Sequence, residues 1–182
     1  MRLALHRHPD SHCDAVTGIE VDVARPGASN LVLHYFVTGK IGALRIPQAT
    51  VPMRGDELWR HTCFEAFIQA QPSAGYCEIN LAPSLRWAAY RFSGYRSEMI
   101  IANELDAPRF ETASGSICYD LKASLDLNRM PGLASSAPWR LGLSAVIEEA
   151  SGRISYWALK HPAGKPDFHH SDCFGHEIAP AS

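Results

Sequence analysis

The 182-residue sequence contains no long apolar run, no block of like charge and no cysteine pair at CxxC spacing. A bilayer span needs about 20 consecutive apolar residues, so no membrane-crossing segment is expected. The opening MRLALHRHPDSHCDAV is cut by His6, Arg7 and His8 and falls short of the apolar stretch of a secretory signal. Seventeen basic and nineteen acidic residues are interspersed and give a net charge of −2. The basic field that drives binding to phosphate backbones is therefore missing, and neither nucleic acid nor a membrane surface is an expected partner. Five cysteines, Cys13, Cys63, Cys77, Cys118 and Cys173, cannot all pair. Three of them sit in strand-like runs, where a reduced thiol packs as a small apolar group, so the expected compartment is the cytoplasm.

Catalytic signatures are also missing. There is no HExxH, no GxSxG and no glycine-rich phosphate loop, so nucleophilic, zinc-peptidase and nucleotide chemistries have no motif behind them. Glu148 and Glu149 stand just before a turn, where solvation accounts for a pair of carboxylates.

What is present is a rhythm of short strands. GIEVDV, LVLHYFVTG, TCFEAFIQA, YCEINLA, RWAAYRF, SICYDLKASL, WRLGLSAVIEE and RISYWALKH are rich in β-branched and aromatic residues and are separated by Gly, Pro, Ser and Asn. Alternation puts Leu31, Leu33, Tyr35 and Val37 on one face of the second run. It does the same for Trp139, Leu141, Leu143, Ala145 and Ile147. Ala150-Ser151-Gly152 joins two such runs, and a glycine free to take positive φ predicts a hairpin there. No helical period persists, and only short turns are expected near Asp56 to Trp59 and Leu125 to Met130. The length suits one core, so residues 1–182 are read as a single all-β domain. Antiparallel strands buried on one face predict a β-sandwich with little helix.

Three stretches could carry a site. In DELWRHTCFEAFIQ, Glu65 interrupts an apolar strand and shares its side of the pleat with Cys63, Phe67 and Gln69; it reads either as a solvated surface residue or as a polar anchor on a concave face. In YCEINLAPSLRWAAYRF, Tyr76, Glu78 and Asn80 share one face, and the next run mixes Arg86 and Arg91 with Trp87 and Tyr90. Carboxylate, amide, guanidinium and ring together suit a sugar, whose hydroxyls take polar contacts and whose C–H faces stack on aromatics. Cross-strand ion pairs on a wet face are the competing reading. The third stretch, KHPAGKPDFHHSDCFGH at residues 160–176, is crowded with donors. His169, His170, Cys173 and His176 are candidate metal ligands, although their spacing matches no specified site. Its prolines and glycine favour a stiff loop of the kind on which binding side chains sit.

Taken together, DELWRHTCFEAFIQ, YCEINLAPSLRWAAYRF and YWALKHPAGKPDFHHSDCFGHEI resemble the bacterial DOMON-like proteins related to type 9 carbohydrate-binding modules. The resemblance runs from about Leu31 onward and rests on the W-x5-E strand, the Tyr/Glu/Asn strand and the W-to-PDFHH ending. It implies an immunoglobulin-like or DOMON-like sandwich and a non-catalytic site for a small polar ligand such as a saccharide or cell-wall-derived sugar. Stacking would come from Trp59 and Phe168, and hydrogen bonds from Glu65, Glu78, Asn80 and Arg91. Phe168 stands where the sugar-binding modules favour Trp. Other DOMON proteins bind haem through Met with His or Lys, which makes Met53 and Met99 candidates and leaves haem or zinc as the alternative to no cofactor. A metal-assisted hydrolase using Asp167, His169 and His170 is the remaining alternative. The sequence leaves the oligomeric state open.

Overall fold

Alternation and turn residues define thirteen strands in the computed structural model, which describes residues 1–181. They are β1 (Arg2–Arg7), β2 (Val16–Gly27), β3 (Asn30–Gly39), β4 (Met53–Arg54), β5 (Cys63–Ala70), β6 (Tyr76–Leu81), β7 (Arg86–Phe92), β8 (Ile100–Ile101), β9 (Arg109–Ser114), β10 (Cys118–Asp126), β11 (Trp139–Glu148), β12 (Ile154–Ala158) and β13 (His176–Ile178). Among these residues, helix is confined to three 3-10 turns, at Ile41–Ala43, Leu58–Arg60 and Ser171–Cys173. The chain is nearly all β, as its strand rhythm predicts.

The strands form one hydrogen-bonded path, β4-β7-β6-β5-β11-β12-β1-β2-β3-β10-β9, with β13 added to β11 and β8 to β7. Strand β1 makes the path curl. Its first residues pair with β2, Arg2 to Asp22 through Leu5 to Ile19, and its last two pair with β12, His6 to Ala158 and Arg7 to Trp157. One strand thus belongs to both halves, and the curled sheet brings apolar residues of β2, β3 and β10 into one buried cluster with those of β5, β6, β7 and β11.

The alternating apolar residues fill the space between the halves. Leu31, Leu33, Tyr35 and Val37 of β3 meet Phe64, Ala66 and Ile68 of β5 and Leu141, Leu143, Ala145 and Ile147 of β11 in one buried cluster. The Tyr35 ring lies 4.9 Å from that of Phe64, and its hydroxyl donates to the Glu65 carbonyl at 2.8 Å. This satisfies a polar atom that would otherwise be costly at full burial. The expected hairpin joins β11 to β12, with Gly152 at φ +86° and Glu149 N–H bonded to the Arg153 carbonyl.

Two sequence expectations are corrected. Glu148 and Glu149 are buried rather than solvated. The Glu148 carboxylate is held by Arg45 at 2.6 Å and the His61 ring at 2.7 Å, while Glu149 accepts from the backbone N–H groups of Asp14 and Ala15. The wet-face reading of β5 and β6 also fails, because both strands are buried on both sides. A second apolar cluster, including Phe67, Tyr76, Tyr90, Phe92, Val146, Phe168 and Phe174, covers their outer face. Its cover is the C-terminal segment, which approaches closely at Gly142, where an added Cβ would meet the Cys173 carbonyl at 3.3 Å.

Candidate functional site

The register of the sheet assembles the polar side chains of the outer face. Ser144 of β11 stands opposite Glu65 of β5, Glu65 opposite Asn80 of β6, and Glu78 opposite Tyr90 of β7. Glu65 and Glu78 form the floor of a cavity of about 460 Å³, which is the size of small-ligand sites, and Ser144 and Asn80 pair with them in the sheet. Its walls are Trp59, Tyr90, Phe92, Tyr156 and Phe168, with Arg96, Asp167 and His169 between them.

The floor and the residues beneath it leave polar atoms unpaired. Glu65, Glu78 and Asn80 are 3%, 5% and 0% exposed. Asn80 donates from Nδ2 to Glu78 Oε1 at 2.8 Å, but Glu65 Oε1, Asn80 Oδ1 and Ser144 Oγ have no hydrogen-bond partner in the protein. Buried polar atoms are rarely left this way, because each one unpaired costs about 1–3 kcal/mol. Burial pushes the Glu65 carboxyl well above the ordinary range, and the nearby Glu78 charge adds to the effect. Glu78 is raised to about 7 by burial, with the Asn80 hydrogen bond and the Arg96 charge pulling the other way.

The rim is tied to the floor by a chain of hydrogen bonds. Asp167 of the C-terminal segment accepts from the Tyr95 hydroxyl and from Arg96 Nη2 at 2.8 Å, which clamps that segment onto the loop after β7. Burial works against the Asp167 carboxylate, but these two donors outweigh it and hold its pKa below the usual value. Arg96 has φ of 51°, a left-handed conformation uncommon for a residue with a side chain. It is fixed there by Asp167 and by its own N–H, which donates to the Tyr76 hydroxyl at 3.2 Å.

That same hydroxyl lies 2.8 Å from His169 Nδ1. Burial, helped by the Arg96 charge, lowers the His169 pKa to about 4, so the ring is neutral near pH 7. The Tyr76 oxygen accepts from Arg96 and shares one hydrogen bond with Nδ1, whose direction depends on the His169 tautomer. Nε2 faces Glu78 Oε2 at 3.7 Å, too far for a hydrogen bond and, with a neutral ring, not an ion pair.

Of the side chains expected at a site, Trp59, Glu65, Glu78 and Phe168 line the cavity, and Asn80 lies beneath it bonded to Glu78. The Trp59 ring is 39% exposed at the mouth and meets Tyr90 edge-on at 6.1 Å. Phe168 is largely buried against Tyr156. Arg91 is misplaced by the sequence reading: it alternates with the cavity-lining Tyr90 and Phe92, and its guanidinium pairs with Glu104 at 2.9 Å. The guanidinium at the cavity is that of Arg96.

The candidate metal ligands do not converge. His169 turns into the cavity, His170 accepts from the Asp172 N–H at 3.3 Å, the buried Cys173 donates to the Asp167 carbonyl, and His176 of β13 stands opposite Leu141 of β11. Among the described residues no three His, Cys, Asp or Glu side chains are grouped to hold an ion. Asp167, His169 and His170, named for metal-assisted hydrolysis, form no such group either, Asp167 being held by Tyr95 and Arg96 and His169 by Tyr76. Met99 lines the cavity mouth and Met53 lies exposed on β4. The residues that sequence reasoning missed, Arg96 and Tyr95, carry no strand period and reach the site through the αL turn at Arg96.

No family model matches the sequence, and no curated protein matches it. Solved structures do match the fold. A candidate carbohydrate-binding protein from Bacteroides uniformis aligns over 96% of this chain and 84% of its own, at 12% identity and a TM-score of 0.72. A family 9 carbohydrate-binding module from Caldicellulosiruptor kristjanssonii, in complex with glucose, aligns over 96% and 83% at 11% identity and a TM-score of 0.54. At such identities the likeness is one of fold.

Proposed function

We propose that this protein is a non-catalytic saccharide-binding domain, its curled sheet a sandwich of the DOMON-like type, and that the ligand occupies the cavity over β5, β6 and β7. The observation that carries the reading is the set of buried acceptors without donors, Glu65 Oε1 and Asn80 Oδ1, beneath aromatic walls. Sugar hydroxyls supply the missing donors, and the rings of Trp59 and Phe168 supply apolar surface for the C–H faces. The fold shared with a glucose-bound module supports the choice of ligand class.

Titration calorimetry of the wild type against a panel of mono- and disaccharides tests this. One saccharide or more binds, Phe168→Ala weakens it by about tenfold, and Glu65→Ala abolishes measurable binding. If no saccharide binds the wild type, the reading is wrong.

A further inference from the structure

The cavity floor carries two buried carboxyl groups, more acid than a neutral sugar calls for. Glu65 and Glu78 are both over nine-tenths buried on neighbouring strands, and no Lys or Arg among the described residues makes an ion pair with either. The groups facing them compensate only in part, through the Asn80 amide bonded to Glu78 and the more distant Arg96 charge. Ser144 and Asn80 are neutral, the Tyr90 hydroxyl donates to Asp56 at 3.2 Å, and burial keeps His169 neutral. Arg96 is the one cation on the wall, and its guanidinium donates to Asp167. An isolated buried carboxylate is among the most costly groups a protein can hold, so these carboxyls keep their protons until a cationic partner arrives to pair with them.

The walls point to the same kind of partner. Trp59, Tyr90, Tyr156 and Phe168 line the space above the carboxylates. Aromatic faces attract cations through their quadrupole, and the attraction strengthens when the cation is desolvated. Carboxylates below and rings around are the complement of an ammonium group, which also has three N–H donors for Glu65 Oε1, Glu78 Oε2 and Asn80 Oδ1.

We infer that the saccharide bound here carries a free, unacetylated amine, and that its ammonium group sits between Glu65 and Glu78. This rests on the saccharide reading above and narrows it to amino sugars. The proton balance sets the pH dependence. Burial keeps protons on both Glu65 and Glu78, the latter up to about pH 7, and a carboxyl must release its proton to pair with a cation. Affinity for an amino sugar therefore rises from about pH 5 to about pH 7, whereas a neutral sugar gains nothing from that release.

The test is calorimetry of the full chain at about pH 7 with glucosamine, N-acetylglucosamine and glucose, on the wild type and on Glu65→Gln/Glu78→Gln. Glucosamine is expected to bind the wild type at least about tenfold more tightly than the other two, and the double variant is expected to lose that preference. Binding of glucose or N-acetylglucosamine as tight as that of glucosamine overturns the amine assignment and leaves the saccharide reading standing. A preference for glucosamine that survives in the double variant also overturns it, because the ammonium then sits elsewhere. If none of the three sugars binds, and none of the wider saccharide panel does, both readings fall together.

Discussion

Replacing Glu78 with glutamine is expected to stabilise the ligand-free protein by about 3 kcal/mol at about pH 8 and to leave it unchanged at about pH 4. The carboxyl is raised from an ordinary 4.5 to about 7 by burial. A group raised on folding favours the folded state while both states hold the proton, below its unfolded value. That contribution is lost as pH climbs through the folded value, because the unfolded chain ionises first. A shift of about 2.5 pKa steps at about 1.4 kcal/mol each gives the stated magnitude. Glutamine mimics the protonated acid, keeps an oxygen for the Asn80 amide and never ionises. Glu65→Gln moves stability in the same direction, since burial raises Glu65 as well. Denaturant unfolding followed across this pH range reads the difference, and a gain equal at both ends would mean that the buried charge is not its source. The same exchange weakens ligand binding, so the floor trades stability for function.

Trp139→Ala is expected to cost about 3–5 kcal/mol of stability, the range for truncating a fully buried large ring. Trp139 is 0% exposed at the start of β11, between Ala70 of β5 and Ile178 of β13. Its Nε1 donates to the Ala134 carbonyl at 3.1 Å, and the Arg25 guanidinium lies 3.5 Å from its ring centroid. Arg25 is itself nearly buried and bonded to the carbonyls of Ala28, Ser135 and Ala137. Removing the ring therefore opens a cavity and strips a buried cation of its aromatic face. Trp139→Phe restores the larger part of the loss. A midpoint shift in denaturant worth less than about 1 kcal/mol for the alanine variant would contradict this account of the core.

Local pattern carried much of the fold and part of the site. Alternation in LVLHYFVTG and WRLGLSAVIEE is a one-strand property, so their inward faces could be read directly, as could the hairpin at Ala150 to Gly152. The alignment of Tyr76, Glu78 and Asn80 follows from the pleat in the same way. Strand β1 was not legible, because RLALHR mixes charge with apolar residues while it bridges two halves of the sheet. Strand β9 is an exposed edge, RFETAS, with no buried face to mark it.

Long-range contacts were beyond reach as well. The second buried face of β5 and β6 is made by a segment that begins about eighty residues after β6, and only that covering turns Glu65 from a surface residue into a cavity floor. Glu148 and Glu149 look solvated until Arg45, His61 and the Asp14 to Ala15 backbone fold against them. Arg91 has the chemistry of a sugar-binding side chain, but the pleat alternates it with Tyr90 and it pairs with Glu104 instead. Arg96 reaches the cavity through a left-handed turn that no periodicity announces.

The most direct test of the central claim, that the cavity over β5, β6 and β7 is a saccharide site, is an isotope-edited NMR titration of the assigned protein with glucose and glucosamine. Saturable shifts are expected at the Trp59 indole and at Glu65, Glu78, Phe168 and His169, with the β2-β3-β10 half undisturbed. Saturable shifts confined to any other surface, or none with either sugar, would contradict it.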